Sequence, residues 1–338
     1  MEEFGSDFHY IKDFREDESF FQCYSDASYY ASGRQALEAL YIQERWKRIW
    51  IPDYFCYEVV DSFVKSGMNV SFYQDNPLIC REDFSDLVFH EGDALMRINY
   101  FGCKAKRSNK DIPIPVVEDH THDLIGQWAI RSDADWCFGS LRKTLPLALG
   151  GLLWSPKGLP ISSNAFLSEK CINTASERYE AMRMKANYLR NGGDKEAFRI
   201  KYLKTEDEIE AIPLSRIDSE SYDIISDFNV QLWSEIKADN WHLVYESIGN
   251  HFQILPYEDR VGVHPFSVII LMDNYEERER FRHYLIQNAI YPAILWSVPE
   301  SASTESVDFS NRMLSVHCDA RYSKKAIERM CEIINQYD

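Results

Sequence analysis

The stretch Ile114-Pro-Val-Val-Glu-Asp-His-Thr-His122, followed by Asp135-Trp-Cys-Phe-Gly-Ser-Leu-Arg-Lys143 and Gly150-Gly-Leu-Leu-Trp154, decides the fold. Each piece is a short apolar run flanked by polar residues or glycine. That is the pattern of buried strands whose ends open onto loops. Toward the N-terminus the pattern repeats in Ala94-Leu-Met-Arg-Ile98, Asn69-Val-Ser-Phe-Tyr73 and Ile49-Trp-Ile51. Between the last two, Phe55 to Lys65 predicts a helix with Val59, Val60 and Phe63 on one face, and Gly67 ends it. Strands alternating with helices from about residue 30 to residue 155 predict an α/β fold with a mostly parallel sheet and helices on both faces.

From about residue 165 the signal turns helical, with Ser176–Arg190 and Tyr222–Glu246 rich in charge and aromatics. Strand patterns return late in the chain. Phe266–Met272, Ile290–Trp296 and Met313–His317 read as extended runs. Asn274, with Glu277 three positions on, caps a helix carrying Phe281 and Leu285. Ser323 caps a last one, with Ile327, Met330, Cys331 and Ile334 on one face. Ser301–Ser306 reads as a polar loop. The expected division is a large α/β domain over residues 1–240, with a helical connection from about 165, and a small α+β domain over 241–338.

The 338 residues are 45% hydrophobic and 27% charged, close to globular averages, which argues against a disordered or fibrous chain. Lys and Arg number 37 against 54 Asp and Glu, a net charge of −17. Such a surface is unsuited to tracking nucleic acid, although one small anion pocket is unaffected. No apolar run approaches the roughly 18 residues of a membrane helix, and Met1–Asp7 lacks the features of a secretory signal. Eight cysteines without any C-x-x-C pair suit a reducing compartment, so the expected location is cytoplasmic.

In a doubly wound sheet, ligands bind beyond the carboxyl ends of the strands. Glu118, Asp119, His120, Thr121 and His122 follow one strand; Ser140, Arg142 and Lys143 follow another. Ser32-Gly33-Arg34 opens the first long helix, where free N–H groups suit an anion such as phosphate, although the fragment also reads as an ordinary N-cap. His120 and His122 could share a cation, but Asp123 comes one residue early for the common metal signature and Ile125 replaces its third histidine. No metal ligand is assigned, and a metal-dependent hydrolase stands as a weaker alternative. Lys143, just past a buried strand, sits where partial desolvation lowers an amine's pKa. A lysine for an aldehyde, an acid for a pyridine nitrogen and donors for a phosphate together meet the needs of pyridoxal phosphate.

The same residues resemble fold-type I pyridoxal-phosphate enzymes, in particular the DegT/DnrJ/EryC1/StrS family of sugar aminotransferases. The matching pieces are Ser-Gly-Arg-Gln-Ala-Leu (32–37), Pro52-Asp-Tyr-Phe-Cys56, Ile98-Asn-Tyr-Phe-Gly102, Val117-Glu-Asp-His-Thr-His122 and Gly139-Ser-Leu-Arg-Lys-Thr144 with Gly150-Gly151. Ile290–Trp296 and Asp319-Ala-Arg-Tyr322 add to them. The resemblance implies Lys143 as the cofactor-bearing lysine and Asp119 as the partner of the ring nitrogen. His122 would lie by the ring, Ser32, Gly33, Arg34 and Ser140 by the phosphate, and Tyr57 or Cys56 (Tyr57 preferred) on the ring's face. It further implies a homodimer that moves an amino group from a donor such as glutamate to a nucleotide-linked keto sugar. Phe138 stands where that family usually has a serine, and the chain is short for it. Other fold-type I activities (an amino-acid aminotransferase or a lyase) and a non-catalytic cofactor-binding module use the same residues.

Overall fold

The computed structural model describes residues 3–12, 14, 20–24, 26–162, 165–257 and 264–337. Its strands are β1 Phe4–Gly5, β2 Ser28–Tyr30, β3 Arg48–Pro52, β4 Val70–Tyr73, β5 Asp93–Ile98, β6 Val116–Asp119, β7 Trp136–Ser140 and β8 Gly151–Trp154, then β9 Gln253–Ile254, β10 Val268–Leu271, β11 Ile290–Tyr291 and β12 Met313–Val316. Helices α1 Gly33–Glu44, α2 Tyr57–Lys65, α3 Gln127–Ile130 and α4 Leu141–Thr144 lie among the first eight strands. A helical section follows, with α5 Glu169–Asn191, α6 Glu196–Glu210, α7 Ser219–Asp227 and α8 Val230–Ile248. The last part carries α9 Tyr275–Gln287, α10 Thr304–Arg312 and α11 Lys324–Ile334.

The main sheet runs β2-β8-β7-β6-β5-β3-β4. The five strands from β4 to β7 are parallel, whereas β8 and β2 close one edge antiparallel. All six residues of β5 and all four of β6 are buried, as expected where helices cover both faces of a parallel sheet. On α1, Ala36, Leu37 and Leu40 recur at helical spacing and pack in one cluster with Ile49, Ile51, Met96 and Phe138. A small antiparallel sheet, β12-β10-β9, packs α8, α9 and α11 around Val268, Ile270, Phe281 and Ile327. The α/β architecture expected from the strand pattern is present.

Residue 240, the expected boundary, falls inside α8. That helix enters one cluster through Val230 and Trp233 and another through Trp241, Val244 and Ile248. Tyr222–Glu246 is not one helix: Phe228 turns extended, and the Asn229 side chain accepts from the Leu232 amide at 2.8 Å to start α8 afresh. The expected loop Ser301–Ser306 already contains the start of α10, capped by Ser303. Its neighbour Asp53 explains this, because the carboxylate accepts from the Ser303 amide at 2.7 Å and from the Ser306 hydroxyl at 3.1 Å. No helix among the described residues is long and apolar enough to cross a membrane.

Candidate active site

Three parallel strands stop level with one another, because Ile98 pairs with Asp119 and Asp119 with Phe138. Their following loops therefore open at one edge of the sheet. The start of α1 is pressed against the same edge: Ser32 bridges Gly150, and Ser32 Oγ accepts from the Gln35 amide at 3.3 Å. Glycine is required for this approach. A Cβ on Gly33 would lie 2.9 Å from the Ser140 amide nitrogen, and one on Gly151 would lie 2.1 Å from the Ser32 carbonyl oxygen.

Between these elements lies a cavity of about 130 Å³ lined by Ser32, Gly33, Arg34, Asp119, His122, Ser140 and Lys143. Every site residue expected from the sequence is thus brought together except one. Tyr57 opens α2, stacks flat on Phe72 (5.5 Å, 17°), and donates its hydroxyl to the Asp53 carbonyl at 3.2 Å. It does not line the cavity. The preceding residue, Cys56, is extended and lines the cavity together with Phe55.

Asp119 is buried, and one carboxylate oxygen accepts from the Thr121 amide at 2.8 Å. Burial pushes its pKa up, against the pull of that bond and of His120. The acid has no cation beside it among the described residues. The His122 ring lies beside Phe101 (5.2 Å, 20°) and Trp296 (5.5 Å, 20°), whose own ring centroids are 6.5 Å apart, and its Nδ1 accepts from the Phe101 amide at 3.2 Å. Burial first, then the charges of Lys143 and Lys237, bring it down to about 3, so the ring is neutral with its proton on Nε2.

Lys143 stands on the short helix α4 after β7, its side chain open to the cavity. The neighbouring Arg142 guanidinium, and next burial, lower its pKa, while Glu206 pulls the other way. Arg142 pairs with Glu206 on α6, and Arg34 reaches Glu210 of the same helix at 3.5 Å. Burial opposes ionisation of Glu206, but Arg142, Arg178 and Lys143 hold its carboxyl down at about 2.

The two histidines of the sequence motif diverge. His120 donates from Nε2 to the Glu118 carboxylate at 3.1 Å and lies near Trp128 and Trp154, away from His122. Glu118, His120 and Cys137 do cluster among the described residues, but the Glu118 oxygens already accept from Asn109 Nδ2 at 2.8 Å and Ser132 Oγ at 2.6 Å. This is a hydrogen-bonded buried network, and the geometry does not support a shared His120–His122 cation.

Sequence reasoning missed Phe55, Trp296, Glu206, Ile209 and Glu210, all of which line the cavity. The pair Glu206 and Glu210, four apart in a charged stretch, carried the signal for one helix face. Nothing local to Trp296 reports a contact with His122, 174 positions earlier.

No family model matches the chain, and no curated protein matches it in sequence. Solved structures do match in shape. A candidate sugar aminotransferase from Streptococcus pneumoniae, Spr1654 in its PLP-form, is 13% identical with a TM-score of 0.64, covering 98% of this chain and 92% of that one. The aminotransferase TlmJ from Streptoalloteichus hindustanus is 12% identical with a TM-score of 0.63, over 93% and 87% of the two chains. A DegT DnrJ EryC1 StrS aminotransferase from Brucella abortus is 12% identical with a TM-score of 0.57, over 91% and 85%. The chain shares the fold of these aminotransferase structures, across nearly their whole length.

Proposed function

We propose that this chain is a pyridoxal-phosphate-dependent aminotransferase that transfers an amino group from a donor such as glutamate to a nucleotide-linked keto sugar, in polysaccharide or secondary-metabolite synthesis. The observation that carries this reading is the convergence of Lys143, Asp119 and the start of α1 on one cavity.

 The shared fold supports the reading, since one of its structures is in a PLP-form.

The residues present fit the cofactor. The α1 terminus and Ser140 offer N–H and hydroxyl donors to a phosphate. Asp119, a buried carboxylate with a raised pKa and no cation beside it, is suited to a protonated ring nitrogen, which would restore its charge. Pyridoxal phosphate, when bound, supplies an aldehyde for an amine and a ring that accepts an electron pair from a substrate carbon. Lys143 Nζ is the amine that would hold that aldehyde. That amine, its pKa lowered by Arg142 and burial, would also be placed to take a proton from a substrate carbon and return one. Neutral His122, clustered with Phe101 and Trp296, would give an aromatic wall that adds no charge and excludes water.

A homodimer and a cytoplasmic location belong to the same proposal. Phe166, Leu167, Ile172, Ile200 and Leu203 are exposed apolar side chains on or beside α5 and α6, which supports an interface there. The eight unpaired cysteines support a reducing compartment. We likewise retain the division into a large cofactor-binding lobe and a small closing lobe near residue 240.

The test is spectroscopic. Protein supplied with pyridoxal phosphate should gain a near-visible band, and borohydride should fix the cofactor on Lys143, as located by peptide mapping. Glutamate alone should then change the spectrum, and a nucleotide-linked keto sugar should restore it faster than pyruvate does. Equal restoration by pyruvate or oxaloacetate would favour an amino-acid aminotransferase. No change with any amino donor would leave a non-catalytic module.

A further inference from the structure

On the far side of Arg142 and Lys143 lies a second cavity of about 280 Å³. Its wall carries five cationic side chains, Arg142, Lys143, Arg178, Lys237 and Arg321, against two carboxylates, Asp7 and Asp319. In a chain of net charge −17 this is a local reversal of sign.

Most of that charge is already matched. Arg321 holds Asp319 through two contacts of 2.8 Å. Arg178 pairs with Asp7 at 2.8 Å and Glu206 at 3.0 Å, and Arg142 pairs with Glu206. Lys143 is assigned to the cofactor. Lys237 is left over. It is only 8% exposed, lines the cavity, and makes no hydrogen bond or ion pair among the described residues.

Its position in α8 makes this unusual. The buried face of the helix carries Trp233, Trp241, Val244 and Ile248 with the neutral polar Ser234 and Asn240, and Lys237 is its one ionisable side chain, at a place where an apolar residue would avoid desolvating a charge. Asp123, the carboxyl that most influences it, lies beyond ion-pair distance and is itself pushed by burial toward the neutral acid. A buried lysine without a partner among the described residues, lining a cavity that Lys143 also lines, is suited to a carboxylate delivered by a ligand.

We propose that the second cavity is a subsite for a carboxylate-bearing substrate, with the Lys237 ammonium as the counter-charge that distinguishes acids from neutral analogues. The proposal rests on Lys143 being the reacting amine, and it specifies the chemistry of what approaches that amine.

The probes are glutarate, its neutral diamide glutaramide, and inorganic phosphate, titrated calorimetrically into the full chain supplied with pyridoxal phosphate. Glutarate should bind at least tenfold tighter than glutaramide. Lys237→Met should remove that preference, Lys237→Arg should keep most of it, and both variants should still fix the cofactor on Lys143 with borohydride. Glutarate binding that is unchanged in Lys237→Met, or glutaramide binding as tightly as glutarate to the unaltered protein, overturns the proposal. The second comparison needs no variant, so a misfolded Lys237→Met does not rescue it. Phosphate displacing glutarate in a Lys237-dependent way would reassign the subsite to phosphate and overturn it as well. Failure of borohydride to label Lys143, with the glutarate preference intact, would instead sink the aminotransferase reading and leave a carboxylate site.

Discussion

Gly33, at the first turn of α1, faces the backbone of Ser140 so closely that a methyl group on it would lie 2.9 Å from the Ser140 amide nitrogen. The contact is with backbone, so no side chain can swing aside. Gly33→Ala should push α1 away from the end of β7 and weaken pyridoxal phosphate binding by about tenfold, roughly 1.4 kcal/mol. Titration by absorbance reads this, and an unchanged affinity would show that the helix start does not hold the phosphate.

Asp119→Asn should keep the cofactor but lose most turnover. The amide preserves the shape and removes the charge that favours a protonated ring nitrogen. Transamination near the unaltered rate would separate Asp119 from that role.

Arg142 is the largest influence lowering the pKa of Lys143, ahead of burial. Arg142→Met should therefore raise it, most of all because Glu206 would remain nearby. The pH at which cofactor addition reaches half its maximum should move upward. A profile that stays in place would mean that burial alone sets the amine.

His122 is held down at about 3 in the folded chain, against 6.5 as its ordinary value. As pH falls below 6.5 the unfolded chain takes up this proton while the folded chain does not, so folding stability falls, by up to about 1.4 kcal/mol per pH unit, until about pH 3. Asp75, raised by burial to about 7, works in the opposite sense over part of that range. The difference between His122→Phe and the unaltered chain isolates the histidine: the variant should lose less stability between pH 6.5 and 4. Parallel stability curves would contradict the neutral, buried assignment.

Asp53 ties the end of β3 to two distant places, accepting from the Asp75 amide at 3.1 Å and the Ser303 amide at 2.7 Å. Asp53→Ala leaves both donors without that acceptor and should cost about 2 kcal/mol. A lowered urea midpoint with unchanged slope is the expected result.

The strands were legible because buried parallel strands are short apolar runs, and Ala94–Ile98 and Trp136–Phe138 carry no competing period. Lys143, Asp119, His122 and Gly33 were legible because each follows a strand or opens a helix, positions where chemistry has to sit. Other parts depend on contacts remote in sequence. The start of α10 needs Asp53, some 250 positions earlier. Trp296 reaches the cavity from the segment after β11. The choice between Cys56 and Tyr57 turned on which residue begins α2, and one residue at a helix start changes where a side chain points.

The first described strand is paired in parallel with β11, Phe4 beside Ile290 and Gly5 beside Tyr291, and the Gly5 amide donates to the Tyr322 hydroxyl at 2.7 Å. During synthesis those opening residues leave the ribosome long before their partners exist. The main sheet can form while the opening segment still waits, and the wall of the second cavity made by Ser6, Asp7 and Phe8 is the last to be sealed. A chain released before Tyr322 would therefore carry a nearly finished sheet and a gap in the cavity that Lys143 lines.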